Sequence, residues 1–356
     1  MSYTNVRKIG NKEAIWFLVI LFVSKILFAD INRYVGQSGT AAYIQTIWCA
    51  FLAAVIFIVT ATLSGEHDIF QASYLALGNV GMKIVGIIIS LMLLLNAGVM
   101  MRVYAEIISS IALPDASEFF ILVALVIAAA FAAFSGIGTL GAYSFAAGIV
   151  LVATLSAILI LNIPNYDLSN IYPVLGNGIG SILSGVDGLS VYADVFLVFL
   201  MATHFSKGTS AKKAGLRAII ISGVVITATT FLYILTVPYP AATEFSLPIL
   251  EIAFDVNLDV IFQRAEGLFL FLWIFSGFIV IGAYICFSIL SFERSFNLSD
   301  RRGVIGVFLL IGLGVAMSME SVSLQRDLYA AFYMAFTAVS YGLPLAVFGI
   351  RKLRGR

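Results

Sequence analysis

Apolar runs of membrane length recur from one end of this 356-residue chain to the other, and they leave it few ways to fold. A hydrocarbon layer about 30 Å thick is crossed by roughly 20 residues of helix, and inside it every backbone N–H and C=O must find its partner within the protein. A bundle of spanning helices meets both conditions, so the expected class is an all-α integral membrane protein. Composition agrees: 61% of residues are hydrophobic and 11% charged, where an ordinary soluble domain has roughly 25% charged. The net charge of +1 gives no reason to expect nucleic acid. Cys49 and Cys286 lie in apolar runs, and His67 and His204 stand alone. Neither a disulfide framework nor a metal site is expected, and no cofactor is implied. The first apolar run, Ala14 to Ala29, lacks a signal-peptide cleavage pattern and reads as a retained first span.

Ten spans are expected. They run from about Glu13 to Ile31, Ala41 to Leu63, Met82 to Ile111, Phe119 to Phe134, Thr139 to Leu161, Gly178 to Phe205, Leu216 to Val237, Phe262 to Leu290, Val304 to Met319 and Tyr329 to Ile350. Cytoplasmic loops hold the excess of Lys and Arg, which sets the orientation. With the N-terminus inside, 15 of the 20 basic residues fall on the cytoplasmic side, among them Lys207, Lys212, Lys213 and Arg217 in one loop. Both termini are therefore expected in the cytoplasm. Ten spans divide into five plus five within a single domain, a first repeat at 1–161 and a second at 178–350. In inverted-repeat transporters the first helix of each half is interrupted near the midplane, where unwound backbone offers free N–H and C=O groups to a solute.

The sixth span has the composition of such a helix, with Gly178, Gly180, Ser184, Gly185, Asp187, Gly188 and Ser190 in close succession. The first span offers Ser24 and Lys25 but neither Gly nor Pro through its middle, so the repeat is only half visible. Six ionisable residues fall inside spans: Lys25, Arg102, Glu106, Asp187, Asp194 and Glu266. Each costs roughly 2.5 to 3.5 kcal/mol near a bilayer centre, so a chain that keeps several is expected to use them on a polar ligand, an ion or each other. Lys25 has two readings, a buried cation satisfied by Asp187 or Asp194, or a fixed positive charge standing where a sodium ion or ligand group would otherwise sit. On an unbroken helix Asp187 and Asp194 share one face about 10.5 Å apart, too far to share a proton. With no other catalytic constellation, an enzyme is not expected.

The ligand-contacting set is expected to be Ser24, Lys25, Asn96, Ser184, Gly185, Asp187, Gly188, Tyr192 and Ser276. Arg102 with Glu106, Asp194, and Arg264 with Glu266 are assigned to gates or structural charge pairs, the first two being spaced i, i+4. Glu251, Asp255 and Asp259 recur every four residues in the connection before the eighth span, opposite Leu250, Ile252, Ala253 and Val256. This spacing fits a short amphipathic helix lying over the bundle.

Three runs carry a family resemblance. One is Ser246-Leu-Pro-Ile-Leu-Glu-Ile-Ala253 followed by Ile261-Phe-Gln-Arg-Ala-Glu-Gly-Leu-Phe-Leu-Phe-Leu-Trp273; the second is Arg102-Val-Tyr-Ala-Glu106 leading to Leu113-Pro114; the third is Asn170-Ile-Tyr-Pro173 with Gly176 and Gly178. Over its whole length the chain resembles the B subunit of spore germinant receptors, the GerAB-like endospore germination permeases. It departs from them in the first span, where Val23 to Asp30 replaces the usual Gly-rich break, and after Pro114, where Asp115-Ala-Ser117 replaces Thr-Pro. The resemblance implies the amino acid, polyamine and organocation permease superfamily and a leucine-transporter-type fold. It also implies work beside an A-type subunit and a lipoprotein C-type subunit in the inner membrane of the spore. The expected function is a permease-like receptor subunit that binds a small nutrient, an amino acid by preference, at mid-membrane and signals germination. A proton-coupled amino acid or amine transporter is the alternative, and a scaffold with a vestigial pocket is the third reading.

Overall fold

The apolar runs form helices, and the computed structural model describes the chain over residues 7–25, 31–65, 67–245, 247–254, 265–298, 302–319 and 322–355. In order these helices are α1 (Asn11–Lys25), α2 (Ile31–Ser38), α3 (Ala42–Ser64), α4 (Ile69–Ile107), α5 (Glu118–Ser135) and α6 (Ile137–Leu161). The second half adds α7 (Ile179–Ser184), α8 (Leu189–Tyr192), α9 (Leu197–Met201), α10 (Ala211–Thr236), α11 (Pro248–Phe254), α12 (Ala265–Phe296), α13 (Arg302–Met317) and α14 (Val322–Leu353). Among the described residues eight helical stretches are long and apolar enough to cross a membrane, and α13 is a shorter apolar helix. The protein is an all-helical integral membrane protein.

Two spans differ from the plain rods that hydropathy suggests. Of the first span α1 is described up to Lys25, and residues 26–30 lie outside the described set. The third starts earlier than expected, because α4 begins at Ile69 and bends at Gly78, whose φ of 76° and ψ of −172° lie outside the helical region. A residue with a Cβ is strained at such a positive φ, so glycine allows a short helix to turn into the span. Asp68 starts this short helix by accepting the Gln71 N–H at 2.8 Å. The sixth span is the other departure and forms part of the candidate site. The expected amphipathic helix before the eighth span is present as α11, with Ile249, Leu250, Ile252 and Ala253 buried. Asp255, Asp259 and Arg264 lie outside the described residues, as do the side chains of Glu251 and Glu266.

At the centre α4 and α12 press together. Ser90 Oγ donates to Ser288 O at 2.8 Å and Ser288 Oγ donates to Ser90 O at 2.6 Å, a reciprocal tie between apolar helices. Such interhelical hydroxyl bonds and small residues hold helices in lipid, where burial of apolar surface gives no net drive. Around this core α4 packs against α13 and α14, while α12 packs against α5 and α6. In the same way α1 lies on α10, and the sixth span lies on α3. Arg351 of α14 donates to Ser64 O at 3.0 Å and Leu63 O at 2.7 Å, satisfying carbonyls that the end of α3 leaves free.

The segment before α1 is locked to the end of the sixth span. The Ile9 N–H donates to His204 O at 2.8 Å and the Ser206 N–H donates to Ile9 O at 2.9 Å, which forms a parallel bridge. Ile9 is fully buried, and Gly138 makes room for the backbone just before it: a Cβ at 138 would stand 2.1 Å from Arg7 O. Gly138→Val is expected to push residues 7–10 off the bundle at a cost of about 1–3 kcal/mol, the usual range for overpacking. Hydrogen exchange at the Ile9 and Ser206 amides should accelerate together, and unchanged protection at both would sink the assignment.

Candidate ligand site

The sixth span, Ile179–His204, changes its winding five times in 26 residues. After α7 the chain leaves the helix at Gly185 (φ −74°, ψ 56°), makes a tight 3₁₀ turn over Val186–Gly188, and resumes as α8. Each departure from α winding releases carbonyls from the i to i−4 ladder, and in a membrane they must find other donors. Here they do. Trp48 Nε1 donates to Leu183 O at 3.3 Å, Gln45 Nε2 and Cys49 Sγ donate to Gly185 O at 3.0 and 3.1 Å, and Tyr341 Oη donates to Leu189 O at 3.2 Å. Lys25 Nζ donates to Ser190 O at 3.1 Å.

Gln45 is held on three sides, since it also donates to Gln37 Oε1 at 2.6 Å and accepts from Ser38 Oγ at 2.7 Å. The glycines of the break allow this contact. A Cβ at Gly185 would lie 2.2 Å from Gln45 Nε2, and one at Gly188 would lie 2.8 Å from Cys49 Sγ and 2.9 Å from Tyr34 Oη. Replacing Gln45 by Leu removes a donor from Gly185 O and strands Gln37 and Ser38. The loss is expected to be about 1–3 kcal/mol, the cost of leaving buried polar groups unpaired. Thermal unfolding in detergent measures it.

One helical turn further on, the charges meet. Lys25 Nζ lies 2.7 Å from Asp194 Oδ2, with side-chain exposures of 4% and 0%. Tyr284 Oη donates to the same carboxylate oxygen at 2.9 Å, and the ammonium stands 5.4 Å from the centre of the Phe336 ring. Among the described residues Asp194 Oδ1 has no hydrogen-bond partner, and neither has Oδ1 or Nδ2 of the fully buried Asn96. Asn96 lies beside the Tyr284 hydroxyl but outside hydrogen-bonding geometry. Next to Lys25, Ser24 Oγ donates to Ser276 Oγ at 3.1 Å, and Ser276 donates to Trp273 O at 2.6 Å. Trp273 stacks on Tyr104 at 4.8 Å. The end of α1 is thus tied to α4, the sixth span, α12 and α14 through a solvent-inaccessible polar cluster.

The expected residues are therefore divided. Ser24, Lys25, Asn96 and Ser276 come together in this cluster, with Asp194 as the partner of Lys25. Gly185 and Gly188 form the break above it. Tyr192 is buried with its ring edge against Phe22 at 5.6 Å and its hydroxyl unpartnered. Asp187 and Ser184 are exposed and contribute nothing to the Lys25 pairing. The shared face expected for Asp187 and Asp194 fails because Gly188 and Ala193 between them lie in 3₁₀ turns, which are wound tighter than the rotation of about 100° per residue on which it depends. The i, i+4 pairing of Arg102 with Glu106 is also replaced: Arg102 reaches across the following turn to Glu118 at 2.8 Å, and Glu106 is half-buried. Glu118 heads α5, so this ion pair closes the connection between the third and fourth spans.

Residue-type reasoning missed Gln45, Cys49, Tyr284 and Tyr341. Gln45 carried a legible signal, an amide in the middle of an apolar run; the tyrosines are common enough in spans to carry none. A cavity of about 680 Å³ lies elsewhere, between α3 and α10, where Ile47, Phe51, Gly223, Val224 and Phe231 give it an apolar lining. None of the expected ligand residues borders it.

The fold has solved counterparts. A transporter of the nucleobase-cation-symport-1 family, Mhp1, in a closed conformation with bromovinylhydantoin bound, superposes with a TM-score of 0.64 at 14% identity, covering 95% of this chain and 78% of that one. The inward-facing conformation of Mhp1 gives 0.62 at 16% identity, covering 97% and 79%. At such identities the likeness concerns the fold. Among curated sequences, spore germination protein KB of Bacillus subtilis (strain 168) is 23% identical over 167 residues, a match that spans 45% of each protein. The family described as spore germination protein matches residues 11–324, which include the sixth-span break and the whole polar cluster except Phe336 and Tyr341. On that match the chain belongs to the spore germination protein family, as an integral membrane protein with a transporter fold.

Proposed function

We propose that this protein is the permease-like subunit of a nutrient germinant receptor, which binds a small nutrient at mid-membrane among the first, third, sixth and eighth spans and passes its occupancy to partner subunits. The observation that carries the reading is the interrupted sixth span, directly above buried polar atoms that lack partners. A chain needing only a rigid scaffold gains nothing from glycines that unwind a helix in lipid and then require five side chains to satisfy the carbonyls. The helix pairing supports two inverted five-helix halves, at 1–161 and 178–350, because α4 meets α13 and α14 as α12 meets α5 and α6. The same division gives ten spans with both termini on one side of the inner membrane of the spore, and the excess of Lys and Arg in the loops supports the cytoplasmic side. An A-type and a lipoprotein C-type subunit are the proposed partners.

Signalling then works by population shift. The cluster is closed to solvent, so a ligand enters only when the first and sixth spans separate, and it drives a signal only as far as it prefers one arrangement over the other. Binding of labelled nutrient to the purified protein without flux in proteoliposomes is the expected outcome. Uptake by this chain alone would replace the receptor with the second reading, a proton-coupled amino acid or amine transporter. The solved Mhp1 structures favour that reading through their shared fold. In both readings Lys25 supplies a fixed positive charge, and binding is expected to be unchanged when sodium is replaced by choline.

A further inference from the structure

We infer that the Lys25–Asp194 ion pair sets the charge class of the ligand, restricting this site to solutes with no net charge that carry an N–H or O–H donor. The inference rests on the nutrient-binding reading above. It starts from what the cluster has left to offer. The ion pair at 2.7 Å cancels its own charge, and its members are buried together. Three atoms remain unspent: the acceptors Asp194 Oδ1 and Asn96 Oδ1, and the donor Asn96 Nδ2. They are within reach of one small molecule, because Tyr284 donates to Asp194 at 2.9 Å and Asn96 lies beside that same hydroxyl. A solute bearing a net charge would bring that charge, uncompensated, into a site closed to bulk solvent. A neutral one with donors toward Asp194 Oδ1 and Asn96 Oδ1 and an acceptor toward Asn96 Nδ2 would satisfy all three atoms. A zwitterion and a polyol both meet this description, with the zwitterion also able to divide its charges between Asp194 and Lys25.

The pair is then a specificity determinant as well as a tie, and cutting one half should exchange the class of solute that is accepted. Without Lys25 the site keeps an unbalanced carboxylate and should take a cation; without the Asp194 charge it keeps an ammonium and should take an anion.

The test uses the full-length protein in detergent at pH 8, with thermal unfolding followed in four probe pools: the neutral L-amino acids, hexoses with inositol, short n-alkylamines, and short carboxylates. The wild type is expected to be stabilised by one of the two neutral pools and by neither charged pool. Lys25→Met should respond to the alkylamines, Asp194→Asn to the carboxylates, and the double variant to the neutral pool again. If both single variants keep the wild-type preference, the pair is a structural tie and the charge assignment falls while the receptor reading stands. Stabilisation of the wild type by a charged pool overturns the assignment in the same way. If no pool moves the wild type, the buried atoms hold water only, and the nutrient-binding reading falls with this one. Should the single variants fail to fold, Asn96→Leu decides, because it leaves the ion pair intact. It should raise the melting temperature without ligand, by removing an unpaired buried amide, and weaken the response to the neutral pool at least tenfold. A retained response overturns the assignment.

Discussion

Lys25→Met should destabilise the protein by about 3–5 kcal/mol, because it leaves the carboxylate of Asp194 buried without its counter-ion. The size of the effect comes from the group left behind rather than from the bond that is lost. Asp194 is wholly buried, with Tyr284 as its other donor and one oxygen already unpartnered. Asp194→Asn should cost a comparable amount for the mirror-image reason, since among the described residues Lys25 would keep the Ser190 carbonyl, the face of Phe336 and a neutral amide oxygen but no counter-ion. The double variant is expected to recover most of the loss, as neutral groups of similar size often replace a buried ion pair with little change. A double-mutant cycle on unfolding in detergent measures the coupling. Additive losses, with no recovery in the double variant, would mean that the two charges act independently.

Gly277→Val should be the second most damaging change. A Cβ at this position would stand 2.2 Å from the Tyr104 ring, and that ring is already stacked on Trp273 at 4.8 Å. An aromatic ring wedged between two helices cannot yield as the tip of a flexible side chain can, so α12 must move away from α4 or Tyr104 must leave its place. The expected loss is about 1–3 kcal/mol, toward the upper end for a branched residue in a helix. Ser276 adjoins this glycine and accepts from Ser24, so the displacement should also reach the end of α1. Ligand binding is expected to fail at temperatures where the variant is still folded. Crosslinking between cysteines placed on α4 and α12 would report the separation, and wild-type crosslinking with normal binding would refute the account.

Much of the architecture was legible in the residue order because lipid makes backbone rules strict. The apolar runs, the turn at Gly136 and the short connection after Pro114 marked helix ends to within a few residues, and the glycines around Asp187 marked the break in the sixth span. Gly78 carried no signal because the nine-residue helix before it is too brief to register as a span. The candidate site was less legible. Ser24, Lys25, Asn96 and Ser276 were singled out one by one as polar groups in apolar surroundings, and they do converge. Which acid Lys25 would meet could not be read, nor that Arg102 would turn from Glu106 to Glu118.

The sequence alone determined that the protein is a helical membrane bundle with a break in its sixth span, since both follow from length, hydropathy and local backbone chemistry. Pairing across the bundle was decided only in three dimensions. Because the stretch from Asp187 to Asp194 mixes 3₁₀ with α winding, the rotation between the two acids is not set by their spacing, and packing against α1, α3 and α12 determines which carboxylate is buried beside Lys25 and which faces outward.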